Sequence, residues 1–119
     1  MDPIPEPQDR FQVGDTLVAC SDDGRNRRTR FVCVTSVTRG GNLRVEELTH
    51  TTTQVHNDWQ SGEWVVRLGE GVTGAKHLLR RSREGWSFHT KRGTGPTDQW
   101  FCFERYDPQR RYTNSRICD

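Results

Sequence analysis

Arg30-Phe31-Val32-Cys33-Val34-Thr35-Ser36-Val37-Thr38-Arg39-Gly40-Gly41-Asn42-Leu43-Arg44-Val45-Glu46-Glu47-Leu48 is the stretch that decides how this chain reads. Residues 30–38 are rich in β-branched side chains, whose stiff χ1 suits a pleated strand better than a helix. Arg39-Gly40-Gly41-Asn42 is a hairpin-turn signal, because glycine and asparagine tolerate the positive φ of tight turns. In the returning strand Leu43 and Val45 point one way while Arg44 and Glu46 point the other. An antiparallel hairpin with a buried face is expected here.

Working toward the N-terminus, Phe11 to Cys20 is β-rich, with a turn or bulge at Gly14-Asp15 and a dense turn signal from Ser21 to Asn26. Toward the C-terminus, Thr49 to Ser61 is polar and Thr-rich, either a loop or a weak edge strand. Glu63 to Leu68 reads as a strand closed by a hairpin turn at Gly69-Glu70-Gly71. Residues 75–84 support two readings. One is a short helix capped by Thr73, burying Ala75, Leu78, Leu79 and Ser82 and ending at Gly85. The other, slightly favoured by its strand neighbours, is a strand over His77 to Ser82. Trp86 to Lys91 alternates, with Trp86 and Phe88 inward. Arg92 to Thr97 is a loop containing Gly93-Thr94-Gly95, and Gln99 to Tyr106 is a further strand. Trp86, Phe88, Trp100 and Phe101 flank that loop and are placed to pair across it. After Asp107-Pro108 the tail reads as peripheral, leaving Tyr112, Ile117 and Cys118 to dock on the body or on a partner.

About seven short strands spaced by about ten residues predict an all-β, mainly antiparallel fold: a small barrel or sandwich, with one short helix near 75–84 as the alternative. The 119 residues suit one domain. Residues 1–10, with three prolines, read as a flexible leader, and residues 11–119 as a single β-rich domain. Only 30% of residues are hydrophobic, a level that invites disorder, but the apolar residues are clustered rather than scattered. Four Trp and five Phe add burial potential to that sparse aliphatic set.

Phe11-x-Val13-Gly14-Asp15-x-Leu17-Val18-Ala19 resembles the first strand of SH3-like small barrels such as Tudor and KOW domains. The likeness covers nine of 119 residues, and it implies only a barrel-like architecture. The aromatic cage and glycine signature of those families do not follow, so no family is assigned.

No apolar run approaches the roughly 18 residues of a membrane span. The first residues lack the basic and apolar regions of a signal peptide. The expectation is a soluble intracellular protein in a reducing compartment. Cys20, Cys33, Cys102 and Cys118 form no Cys-x-x-Cys pair and are expected reduced, three of them acting as small hydrophobes in strand-like runs. Their even number leaves disulfides open in an oxidising environment.

Catalytic signatures are missing: no Gly-x-Ser-x-Gly, Walker-type loop, Gly-x-Gly-x-x-Gly or His-Glu-x-x-His occurs. His50, His56, His77 and His89 lack the ligand spacing of a zinc site. Glu46 and Glu47 point to opposite faces of one strand and cannot act as a pair. Neither enzyme activity, nor a cofactor, nor a metal is expected.

Charge is distributed in blocks. Residues 1–24 carry one base and six acids, residues 25–45 six Arg and no acid, residues 46–70 one base and five acids, and residues 71–92 six bases and one acid. The rest is neutral, for a net charge of +2. Two readings follow. Arg25, Arg27, Arg28 and Arg30 could share a face with Arg80, Arg81, Arg83, Lys91 and Arg92, neutralising phosphates beside exposed aromatics. Or the blocks pair across strands or between subunits. A sequence pI of 8.5 weighs against a dedicated nucleic-acid binder. Trp59, in polar Asn57-Asp58-Trp59-Gln60-Ser61, covers the rim of the core or projects as an interface anchor.

The expected function is therefore a non-enzymatic interaction or structural module, one that self-associates as a homodimer or binds another protein, because open strand edges invite pairing. A nucleic-acid-binding small β-barrel using the two Arg-rich segments is the alternative. No membrane partner is expected.

Overall fold

A computed structural model describes residues 10–22, 24–82, 85–88 and 102–117 of the chain. They form seven strands: β1 (Thr16–Asp22), β2 (Asn26–Val37), β3 (Leu43–Asn57), β4 (Ser61–Ser82), β5 (Gly85–Phe88), β6 (Phe103–Arg105) and β7 (Tyr112–Ile117). All the pairings are antiparallel. The β2–β3 hairpin forms as expected. Thr38 N donates to Asn42 O at 2.8 Å, and Gly41 adopts the positive φ of 87° that the turn demands.

The order β1-β6-β5-β4-β3-β2 closes on itself because β1 also pairs with β2. This six-stranded barrel is filled by Leu17, Ala19, Val32, Val34, Leu43, Val45, Leu79, Trp86 and Phe103, with Phe11 packed alongside them. The seventh strand does something different. β7 bridges the start of β4 to the start of β2, through Val66↔Tyr112 on one side and Asn26↔Arg116 on the other. It thereby encloses a second cluster of Val18, Phe31, Val66 and Tyr112, with Leu48, Leu68 and Tyr106 at its margin.

Two cores explain why the apolar runs do not alternate. Leu17 and Ala19 face the barrel interior while Val18 faces the second cluster. Val32 and Val34 point inward while Phe31 points outward, against Tyr106 and Tyr112 in edge-on contacts at 5.7 and 5.8 Å. A strand buried on both faces needs apolar residues at successive positions.

Four expectations are corrected. Residues 75–82 are strand, so the helix alternative falls, and the Thr73 hydroxyl accepts from Ala75 N at 3.2 Å within the strand rather than capping a helix. Gly69-Glu70-Gly71 is not a hairpin turn. Leu48 pairs with Val72 and His50 with Leu68, so these three residues bulge from β4 opposite Thr49 alone. The Thr49 hydroxyl fills the bulge, accepting from Gly71 N at 3.1 Å and lying 3.2 Å from Gly71 O. Thr49 to Asn57 is strand, the outer half of the 15-residue β3, so of its two readings the loop falls and the edge strand stands. The tail is not peripheral: Tyr112 is buried and β7 joins two strands.

The cysteines also differ from expectation. Cys20 and Cys102 are exposed and Cys33 is half-buried, so none is a core hydrophobe. Trp86 is buried and Phe88 half-buried, as read, and Phe88 meets Phe103 at 5.0 Å. The leader before residue 10, the Gly93-Thr94-Gly95 loop, Trp100, Phe101, His89 and Cys118 lie outside the described residues. Among the described residues no helix is long and apolar enough to cross a membrane.

Candidate interaction surfaces

Beyond the Thr49 bulge, β3 and β4 run on as an arm in which residues 50–60 are all exposed. β2 leaves β3 after the Val32↔Glu47 pair and continues toward β7. From Thr49 to Asn57, β3 is therefore bonded to β4 on one side and, among the described residues, to no strand on the other. Its sequence, Thr49-His50-Thr51-Thr52-Thr53-Gln54-Val55-His56-Asn57, contains no Lys, Arg, Asp, Glu or Pro. Those are the residues with which natural edges block strand addition.

The arm ends in the Asp58-Trp59-Gln60 turn. The Asp58 carboxylate accepts from Gln60 N and Ser61 N, both at 2.8 Å. The bonds from Ser61 and then Gln60 hold its carboxyl below the usual 3.8, since they favour the charged form. Trp59 at the tip is 81% exposed. It covers no core rim; it projects.

The first Arg segment is largely strand rather than loop, because β2 begins at Asn26. Arg27 stands opposite Asp22 in the ladder, and its Nη1 donates to the Thr113 hydroxyl at 3.3 Å. Arg28 is exposed. Arg30 is drawn toward the barrel end: its Nε lies 3.5 Å from Glu47 Oε1 and its guanidinium 5.5 Å from the centre of the Phe88 ring. His77 Nε2, buried and without a hydrogen-bond partner, lies 3.6 Å from the other Glu47 oxygen, too long for a hydrogen bond. Arg30 thus serves the barrel. Arg25 adjoins β7, its carbonyl accepting from Ile117 N at 2.8 Å.

A residue missed in the sequence joins this segment to the arm. Arg116, on β7 opposite both Gly62 and Asn26, donates through Nη2 to Asn57 Oδ1 at 2.7 Å and Asp58 O at 3.2 Å. The Trp59 turn and the segment Arg25 to Arg28 are therefore neighbours. The signal was slight: Tyr112, Thr113 and Ile117 are strand-favouring, but Asn114, Ser115 and Arg116 between them are not.

Among the described residues, Arg30 and the pair Arg80 and Arg81 stand at different levels of the barrel. Arg30 lies two residues beyond the Val32↔Glu47 pair, whereas Arg80 and Arg81 follow Leu79, which pairs with Leu43 at the other end of the barrel. Arg83, Lys91 and Arg92 lie outside the described residues. Some of the block charge is met within the chain, in the Arg30–Glu47 pair, in Asp15 against Arg105, and where Glu46 stands opposite Lys76 in the ladder. Among the described residues no group of three or more His, Cys, Asp or Glu is placed to hold a metal ion. No family model, curated protein or solved structure matches this chain.

Proposed function

We propose that this chain is a self-associating module whose subunits join edge to edge along the outer half of β3. The carrying observation is the open, uncharged, proline-free edge from Thr49 to Asn57. An edge strand exposes alternate N–H and C=O groups that a second strand satisfies. A second copy is the occupant best matched to it, because two such edges meeting antiparallel about a two-fold axis set no like charges of Lys, Arg, Asp or Glu against each other. Trp59 stands at the end of the same edge, where a rigid, amphipathic side chain is suited to anchoring a contact.

Sedimentation equilibrium tests this reading. Wild type is expected to dimerise, with little change on raising salt because backbone hydrogen bonds carry the contact. The double variant Thr51→Lys/Thr53→Lys is expected to weaken the dimer at least about tenfold, equivalent to about 1.4 kcal/mol. Its folding stability should stay within about 0.5 kcal/mol of wild type, since both positions are exposed. A wild-type monomer at about 1 mM, where even a pair worth about 4 kcal/mol is half-formed, would refute it.

A second reading, single-stranded nucleic-acid binding, is favoured by the Arg116 bridge between the Trp59 turn and the first Arg segment. Stacking on Trp59 beside guanidinium groups would give strongly salt-dependent binding. Loss of oligonucleotide binding in Arg25→Ser/Arg27→Ser/Arg28→Ser and in Trp59→Ala would support it. Binding that survives both changes would exclude it.

A further inference from the structure

We infer that Cys20 and Cys102 are a reversible disulfide pair that staples β6 to β1. The β1–β6 ladder keeps one register: Leu17 stands opposite Arg105, Val18 opposite Glu104 and Ala19 opposite Phe103. Tyr106 N donates to Thr16 O at 2.9 Å, which extends the same register one position toward the start of β1. One position the other way, that register sets Cys20 against Cys102. Ala19 and Phe103 are buried in the barrel, so alternation turns both cysteines to the outer face. Both are exposed, within reach of a small reagent. The spacing suits the bond. Thr16 and Tyr106 stand at a hydrogen-bonded position, and such positions recur at every second pair, so Cys20 and Cys102 occupy another. Opposed Cα atoms there lie about 5.5 Å apart, inside the roughly 4.4–6.8 Å that a disulfide spans. In the thiol form Cys20 Sγ lies 3.6 Å from the Thr29 hydroxyl oxygen. Sulfur is a weak hydrogen-bonding partner, and a change of χ1 rotamer exchanges that contact for the sulfur across the seam. Cys33 is out of reach of Cys20. It stands opposite Thr16, four ladder positions from the Cys20↔Thr29 pair, about 13 Å along the strand.

The staple falls where the barrel is thinnest. β6 has three residues, the fewest of the seven strands, and among the described residues it meets β5 only at Trp86↔Phe103. Yet the order β1-β6-β5 closes through it. A covalent link there closes a loop of about 80 residues, which removes conformational entropy from the unfolded chain and so favours the folded one. The oxidant is a low-molecular-weight disulfide. The thiolate of one cysteine attacks it, breaking its S–S bond and releasing one thiol. The thiolate of the other cysteine then attacks the protein sulfur of the mixed disulfide and releases the second. Two protein thiols are thereby oxidised by two electrons, the reagent is reduced to two thiols, and the protein's two protons end on the thiolates released. A dithiol reductant reverses both steps.

Oxidised glutathione, added to the folded full chain, tests this when the remaining thiols are then alkylated and the peptides mapped without reduction. The expected product runs as a single chain on a non-reducing denaturing gel, with Cys20 linked to Cys102 and Cys33 alkylated. Its urea midpoint is expected to exceed that of the reduced chain by about 1 M or more and to fall back on adding dithiothreitol. Oxidation should leave the midpoint of Cys20→Ser and of Cys102→Ser unchanged. Cys33→Ser/Cys118→Ser, which keeps only the pair, should form the same link with the same shift. Thr51→Lys/Thr53→Lys should do so too, because the bond lies within one chain and does not depend on the β3 edge. Thiols at 20 and 102 that stay open to alkylation, a link from either to Cys33, Cys118 or a second chain, glutathione retained on either, or an unchanged midpoint in the linked chain would each overturn the inference.

Discussion

Thr49 faces a glycine across the β3–β4 ladder because nothing larger fits there. A Cβ built on Gly69 would meet the Thr49 hydroxyl and come within 2.8 Å of the Thr49 carbonyl oxygen. Backbone cannot yield as a flexible side chain can, so Gly69→Ala should destabilise the fold by about 1–3 kcal/mol in urea unfolding. Gly71→Ala should cost less, since its Cβ would meet Thr49 at an ordinary 3.7 Å. Equal, near-zero effects would mean that the bulge is not the tight junction described. At the arm tip the sign of a pH effect follows from Asp58. Its carboxyl is held below the usual 3.8, so its support of the turn is present above that value and is lost only as pH falls through the lowered one. The amide resonances of Gln60 and Ser61 should hold steady down to about pH 4 and move below it; movement centred well above pH 4 would contradict the capped turn. These glycines were conspicuous in the sequence, but their role was not. Hairpin turns and bulges both ask for residues without a Cβ, and only the strand register distinguishes them.

At the level of elements, β2 is a wall shared by two cores. Phe31 is fully buried in the second one, between Tyr106 and Tyr112. Phe31→Ala should cost about 3–5 kcal/mol, close to the cost of emptying the barrel itself. Tyr112→Phe should cost about 1 kcal/mol, because the Tyr112 hydroxyl accepts from Asp107 N at 3.1 Å. A Phe31→Ala loss below about 1 kcal/mol would show that β7 does not close a packed cluster. The β2–β3 hairpin was readable because two signals agreed, β-branched runs on either side of a Gly-Gly-Asn turn. The arm and β7 were not, because their evidence is weaker by nature. Thr-rich Thr49 to Asn57 has no buried face to impose alternation, and β7 pairs with partners 46 or more residues away, which no local pattern announces.

For the molecule as a whole, composition and period-two patterning were enough for an all-β fold closed by antiparallel strands. They did not say where the arginines would lie. Among the described residues, register carries Arg25 to Arg30 toward one end of the barrel and Arg80 and Arg81 toward the other. The same register frees the outer half of β3 and sets Trp59 at its end. The proposed consequence is assembly that depends on concentration and scarcely on salt. Amide hydrogen exchange at Thr51 to Asn57, measured at low and high protein concentration, looks directly at this edge. The outward N–H groups are predicted to exchange rapidly in dilute solution and to become protected, at alternate residues, as concentration rises. Exchange at these positions that is the same at every concentration would contradict the account.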